Sequence, residues 1–165
     1  MNHPYKLTIL PANEKDTARL TGIIRAGFAD VAVRFGLTPQ NCPKHPSNCT
    51  REWIERDLAR GVHYFILTAD GEDAGCVGVE QASADTCYME RLAVLPKFRN
   101  SGCGARLARH AIERAKVLGA ANVGIGIIAA DAGLQAFYEA LGFQAGEVKT
   151  FDHLPFEVAF MRVSV

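Results

Sequence analysis

At 165 residues, of which 48% are hydrophobic and 22% charged, the chain has the length of one ordinary domain and enough apolar side chains for a core. Its 18 basic and 18 acidic residues cancel, and basic residues are not interleaved with aromatic ones, which argues against nucleic acid and against an anionic membrane as partners. The opening MNHPYKLTILPANEKD is too briefly apolar for a signal peptide or a membrane span, and five cysteines form an odd set suited to free thiols, so a cytoplasmic protein is expected.

In chain order, a short apolar stretch before Pro11 reads as a first strand. A helix follows Asn13, an N-cap with Asp16 three residues on, and carries Leu20, Ile23, Ile24 and Phe28 on one stripe. The Pro-, Asn- and Ser-rich stretch 38–50 is a loop. A second helix starts near Thr50, with Trp53, Ile54 and Leu58 on one face and Gly61 at its end. Three strands come next, over 63–68, 74–81 and 86–95, the first two joined by Ala-Asp-Gly-Glu-Asp, a hairpin signal. A helix over 102–118 places Leu107, Ala111, Ile112, Ala115 and Leu118 inward, and Gly119 stops it. A strand over 122–129, a helix over 131–141 and a last strand over 156–163 complete the order βααβββαβαβ. Successive antiparallel strands and one strand–helix–strand crossover define an α+β fold, a mixed sheet with helices on both faces.

The stretch Leu92-Ala-Val-Leu-Pro-Lys-Phe-Arg-Asn-Ser-Gly-Cys-Gly-Ala-Arg-Leu107 carries the strongest chemical signal. An apolar strand ends at Pro96, turns through Arg99, Asn100, Ser101, Gly102, Cys103, Gly104 and Ala105, and enters a helix. Unpaired N–H groups at a helix start favour anions, glycine lets a phosphate approach the backbone, and Lys97 and Arg99 add positive charge. Taken alone, Gly102-Cys-Gly104 is equally a tight turn. No Walker motif is present, and Gly124-Ile-Gly126-Ile-Ile-Ala129 spells a dinucleotide fingerprint inside a strand, where it cannot function as one.

With its neighbours, this stretch resembles the GNAT family of acetyl-CoA-dependent N-acetyltransferases. Arg99, Gly102 and Gly104 fill the family's central motif of Arg or Gln, two residues, Gly, one residue, Gly or Ala. Met89 to Pro96 looks like its bulged fourth strand, and Ala136-Phe-Tyr-Glu-Ala-Leu-Gly-Phe143 like its tyrosine motif. The resemblance implies a mostly antiparallel sheet of six to seven strands flanked by helices, and acetyl-CoA as co-substrate. It implies that the backbone of Leu92, Ala93 and Val94 pairs with the pantetheine arm while the 99–105 loop holds the pyrophosphate. Asp131 stands where the family often has asparagine; aspartate still caps the helix, but its charge suits CoA less well. The resemblance also puts the loop between the first two helices beside the acceptor, with Phe35, His45 and Trp53 available.

Acetyl transfer needs a deprotonated amine, a stabilised oxyanion and a proton for the leaving thiolate. Tyr138 occupies the family-like donor position; from its helix stripe alone, with Leu134 and Leu141, it is a core tyrosine. Glu90 alternates with Tyr88 and Leu92 on a partly apolar strand face, where burial would raise its pKa toward that of a general base; the competing reading is an ion pair with Arg91 or another charge. Backbone N–H groups near Leu92 and Val94 are positioned to polarise the thioester carbonyl. Cys103, at a helix start among basic residues, makes covalent catalysis conceivable. Cys42, His45 and Cys49 are three soft ligands within eight residues, a weak zinc signal without a fourth ligand, and no metal is assigned.

The reading is therefore direct transfer of acetyl to a primary amine of a small molecule or protein, with Glu90 and Tyr138 as catalytic residues. The alternative is an inactive CoA or acyl-CoA sensor of the same fold. A homodimer through an edge strand is possible if the apolar last strand is an edge; it is equally an interior strand.

Overall fold

A computed structural model describes residues 4–165. Its elements are β1 (Leu7–Pro11), α1 (Thr17–Phe35), α2 (Arg51–Ala59), β2 (His63–Ala69), β3 (Glu72–Gln81), β4 (Thr86–Val94), α3 (Cys103–Val117), β5 (Asn122–Ile128), α4 (Ala132–Ala140), β6 (Gln144–Lys149) and β7 (Val158–Ser164). The strands form one sheet in the order β1-β2-β3-β4-β5-β7-β6, with β4 and β5 the only parallel neighbours among the described residues.

Local chemistry accounts for most of the boundaries. Asn13 and Asp16 form the reciprocal capping box, which here closes a short 3-10 turn that leads into α1. Gly36 ends α1 in the left-handed region at φ 63°. Asp70 and Gly71 both have positive φ (49° and 83°), the conformation that a tight two-residue hairpin between β2 and β3 requires.

Two differences from the sequence reading concern the C-terminal third. The order βααβββαβαβ lacks a strand: β6 intervenes before β7 and pairs antiparallel with it. Every residue of β6 is exposed, so the sequence there has no buried alternation to betray a strand. The expected last strand is consequently interior, paired with β5 on one side and β6 on the other, and the sheet edges are β1 and β6. A contact between copies through an exposed β7 edge is ruled out.

Helices cover both faces. On one side, α3 and α4 pack against a cluster containing Leu67, Val77, Val79, Met89, Leu107, Ala111, Val123 and Tyr138. On the other, α1 and α2 cover Tyr64, Ile66, Cys76 and Ala93 with Leu20, Ile23, Ile24 and Ile54. At the sheet's centre both layers lie very close to the strands. A Cβ added at Gly27 of α1 would sit 2.7 Å from Ala93 Cβ, and one at Gly75 of β3 would meet Ala93 O at 2.5 Å and Leu107 Cδ1 at 2.9 Å.

The feature that shapes the site is in β4. Gly78 pairs with Glu90 and Cys76 with Ala93, so Val77 alone opposes both Arg91 and Leu92. Arg91 takes φ 50°, an uncommon conformation for a residue with a side chain. Because of this bulge, Leu92 packs into the α3 layer and Ala93 into the α1 layer. The expected alternation of Tyr88, Glu90 and Leu92 on one face is thus corrected: Glu90 shares its face with Tyr88, Arg91 and Ala93. Pairing of β4 with β5 is confined to Thr86–Tyr88 against Asn122–Gly124, and beyond Tyr88 the two strands part.

Gly75→Ala tests the closeness of these layers. Since backbone and a fully buried leucine would have to move, stability should fall by about 1–3 kcal/mol. Urea unfolding should show this as a lower midpoint with an unchanged slope.

Candidate active site

The cleft opened where β4 leaves β5 is bounded below by the start of α3. Gly102 caps that helix at φ 81°, and Asn100 is also left-handed at φ 60°. The first intrahelical bond runs from Arg106 N to Gly102 O at 3.0 Å, so the N–H groups of Cys103, Gly104 and Ala105 have no carbonyl within the helix and face outward as a helix-start anion site. A Cβ added at Gly104 would lie 3.4 Å from the Phe137 ring and 3.8 Å from Val94 Cγ2. The end of β4, the start of α3 and the tyrosine-bearing helix α4 therefore converge on one spot.

The two cations expected to supplement this cradle are committed elsewhere. Lys97 pairs with Glu72 at 2.8 Å. Arg99 donates from Nη1 and Nη2 to the Asp30 carboxylate (2.9 and 3.0 Å), from Nη2 to Gly27 O (2.9 Å) and from Nε to Val94 O (3.2 Å). Partial burial alone would raise the Asp30 carboxyl, but the guanidinium holds it below its usual value. Arg99 thus ties α1 to the end of β4, and it is the loop backbone and not this side chain that is free to meet an anion. Asn100 and Ser101 are exposed in the turn. Arg106, in the first turn of α3, is exposed and without an ion pair among the described residues, and is a cation available beside the cradle.

Asp131 is buried, caps α4 by accepting from Leu134 N at 3.1 Å, and is neutralised by Arg34 Nη2 at 3.1 Å. The arginine answers the misfit of its charge. Tyr138 is 6% exposed and packs edge-on against Phe137 and Phe143 at 5.0 and 5.3 Å. Burial raises its phenol above the ordinary value, so it stays protonated. Its hydroxyl makes no protein hydrogen bond among the described residues, yet Arg114 Nε is the only sealed, unpartnered side-chain polar atom there, so the hydroxyl retains an opening.

Glu90 stands on β4 just past Tyr88, the last residue of that strand paired with β5. Burial first, and then the neighbouring Glu80 carboxylate, pushes its carboxyl up to about 8, with Arg60 opposing. The cation beside it is Arg60, Nη2 to Oε2 at 3.8 Å, and not Arg91. Arg91 instead lies over Trp53 at 5.6 Å and binds both Asp57 and the Tyr64 hydroxyl (2.7 Å), while Tyr64 donates to Asp57 Oδ2 at 2.7 Å. Asp57, 4% exposed, also takes Arg60 at 2.9 Å. The sequence offered no sign of Asp57, Arg60 or Glu80 beyond their strand and helix parity.

Cys103 is 1% exposed, and burial pushes its thiol up, which removes the setting that covalent catalysis would need. Cys42 and Cys49 belong to two different apolar clusters, and His45 is buried against Phe28 with Nδ1 2.7 Å from Ser47 Oγ. Among the described residues no three His, Cys, Asp or Glu side chains converge as a metal site, and no helix is long and apolar enough to cross a membrane.

Comparison with known proteins agrees with this geometry. Residues 32–143 match the model of the acetyltransferase (GNAT) family. Over 101 residues the chain is 30% identical to the ribosomal protein bS18-alanine N-acetyltransferase of Escherichia coli K12, covering 59% of this chain and 68% of that one. The crystal structure of the ribosomal-protein-S18-alanine N-acetyltransferase from E. coli superposes with a TM-score of 0.74 at 20% identity, covering 97% of this chain and 94% of the other. An N-acetyltransferase of Thermoplasma acidophilum, solved with coenzyme A, gives 0.78 at 14% identity over 97% and 99%. The chain belongs to the GNAT acetyltransferase family. It is an acetyl-CoA-dependent N-acetyltransferase, and nothing in the comparisons favours the inactive alternative.

Removing the buried hub of the polar network should be costly. Asp57→Ala leaves Arg91 and Tyr64 without their shared acceptor and should lower stability by about 3 kcal/mol. Thermal unfolding should report that loss, and Asp57→Asn, which keeps an acceptor, should recover part of it.

Proposed function

We propose that this enzyme transfers acetyl directly to a weakly basic primary amine, with Glu90 receiving the amine's proton and Tyr138 protonating the departing thiolate. The observation that carries the proposal is the coincidence of three things along β4 and its exit: the parting of β4 from β5, the free N–H groups at the start of α3, and a carboxyl pushed up to about 8 on β4 itself, just past the point of parting.

Leu92, Ala93 and Val94 line the β4 side of the opening, and their unpaired edge suits the amides of pantetheine. The backbone from Arg99 through Asn100, Ser101, Gly102, Cys103, Gly104 and Ala105 would hold the pyrophosphate, with Arg106 as a supplementary cation. Asp131, paired with Arg34, is a candidate cofactor contact at the start of α4. The co-substrate supplies an activated acetyl thioester. An amine of ordinary α-amino pKa, about 8, is substantially neutral at the pH where Glu90 is ionised and can attack as the free base, whereas a lysine amine near 10.4 is almost wholly protonated there. The named activity of the E. coli relative, on the alanine of a ribosomal protein, supports a peptide or small-molecule α-amine here. A cytoplasmic location follows from the same reading. If two copies associate through strand edges, they use β1 or β6.

The pH dependence of kcat/KM tests the base. Free Glu90 and the free amine must each lose a proton, so log kcat/KM should fall with slope two well below pH 8 and with slope one in Glu90→Gln, whose plateau should drop about 10²- to 10⁴-fold. An unchanged slope of two in Glu90→Gln would remove Glu90 from the reaction. In the same assay, a peptide α-amine should outpace a lysine side chain at neutral pH.

A further inference from the structure

Glu80 stands next to Glu90 for a reason the strand register makes plain. Gly78 is directly opposite Glu90 and Glu80 directly opposite Tyr88, so the two glutamates are diagonal neighbours on one face of an antiparallel pair, within reach for long side chains. Arg60, from the end of α2, binds Glu80 directly, approaches Glu90 at 3.8 Å and is itself held by Asp57 at 2.9 Å. Two carboxyl groups this close repel when both are ionised, and the shared guanidinium only partly offsets that repulsion, so Glu90 holds its proton more tightly than it would alone.

We propose that Glu80 is a positioning residue of the acetyl transfer: Glu80 and Glu90 act as one base, in which the proton taken from the amine comes to rest between the two carboxylates, with Arg60 clamping the pair. In the step, nitrogen of the neutral amine bonds to the acetyl carbon, its N–H bond breaks as an O–H bond forms on Glu90, that proton is shared with Glu80, and the acetyl C–S bond breaks to release the thiolate, which takes its proton from Tyr138. The pair passes from two negative charges to one, and Arg60 neutralises what remains. This rests on Glu90 being the base, and it adds the residues that give the base its affinity.

The charges around Glu90 are few. From α2 come Asp57 and Arg60, from β2 Tyr64, from β3 Glu80, and from β4 itself Tyr88 and Arg91. On the β5 side, Gly124 carries no charge, and Arg162 of β7 is two strands away from Tyr88. Asp57, bound to both Arg91 and Arg60, pushes Glu90 in the same direction as Glu80 but less strongly. Glu80 and Arg60 are therefore the two groups whose removal should move Glu90 in opposite directions. Glu80 favours the protonated form and Arg60 the ionised one.

Carbon-13 NMR of the Glu90 carboxyl gives the direct test. Glu80→Gln should shift its titration midpoint down from about 8 toward the ordinary carboxylate range, Arg60→Gln should shift it up, and Glu80→Asp should restore part of the wild-type value. The enzyme break in the kcat/KM profile should follow in the same directions. A merely structural Glu80 would lower activity without moving either. An unchanged midpoint in Glu80→Gln, or equal shifts of the same sign in both variants, would overturn the pairing. A midpoint that moves while the kinetic break stays fixed would uphold the shared proton and refute Glu90 as the base.

Discussion

Arg91 and Leu92 of β4 face a single residue of β3, Val77, and the mismatch turns β4 away from its parallel neighbour β5 after only three paired residues. Everything specific to this enzyme follows from that departure. It leaves a stretch of strand edge unpaired beside the start of α3, and it moves Leu92 and Ala93 onto opposite faces. It also brings Glu90 and Arg91 onto the same side, where the α2 layer meets them. A regular ladder here would satisfy more backbone groups but would close the cleft.

Such a bulge needs support, and the protein supplies it from two directions. On the α2 side, Asp57, Tyr64 and Arg91 form a buried, mutually bonded set that fixes the arginine despite its positive φ. Gly78 makes room for it, since a Cβ there would sit 3.0 Å from the Tyr64 ring. On the α1 side, Gly27 allows the helix to touch Ala93, and Arg99 binds the carbonyls of Gly27 and Val94 as well as Asp30. The loop that would receive phosphates is thus held by an arginine turned away from it. Its anion affinity must come mainly from backbone N–H groups, whose positions do not depend on flexible side chains.

Elements with strong periodicity were legible in the sequence. The stripe of α1, the stripe of α3, the Asp70-Gly71 hairpin and the turn into α3 all stand where spacing put them, because each is governed by contacts within a few residues. β6 was not, because a strand exposed at all six positions is held by its ladder with β7 and not by burial. The face of Leu92 was misassigned for a related reason. Period-two counting fails across a bulge, and even a resemblance that implies a bulged strand does not say which residues it displaces. Long-range polar partners were invisible altogether: Arg99 with Asp30, Asp131 with Arg34 and Glu90 with Arg60 join residues far apart in sequence. The cysteines show the reverse case. Cys42 and Cys49 are neighbours in sequence and belong to different cores in space.

The central claim is that the parted edge of β4 and the start of α3 together receive acetyl-CoA, and backbone hydrogen exchange with and without the co-substrate tests it most directly. The account predicts new protection concentrated at residues 92–94 and 100–105, with little change in β1 or β6. Protection confined to other elements, or none at saturating acetyl-CoA, would contradict it.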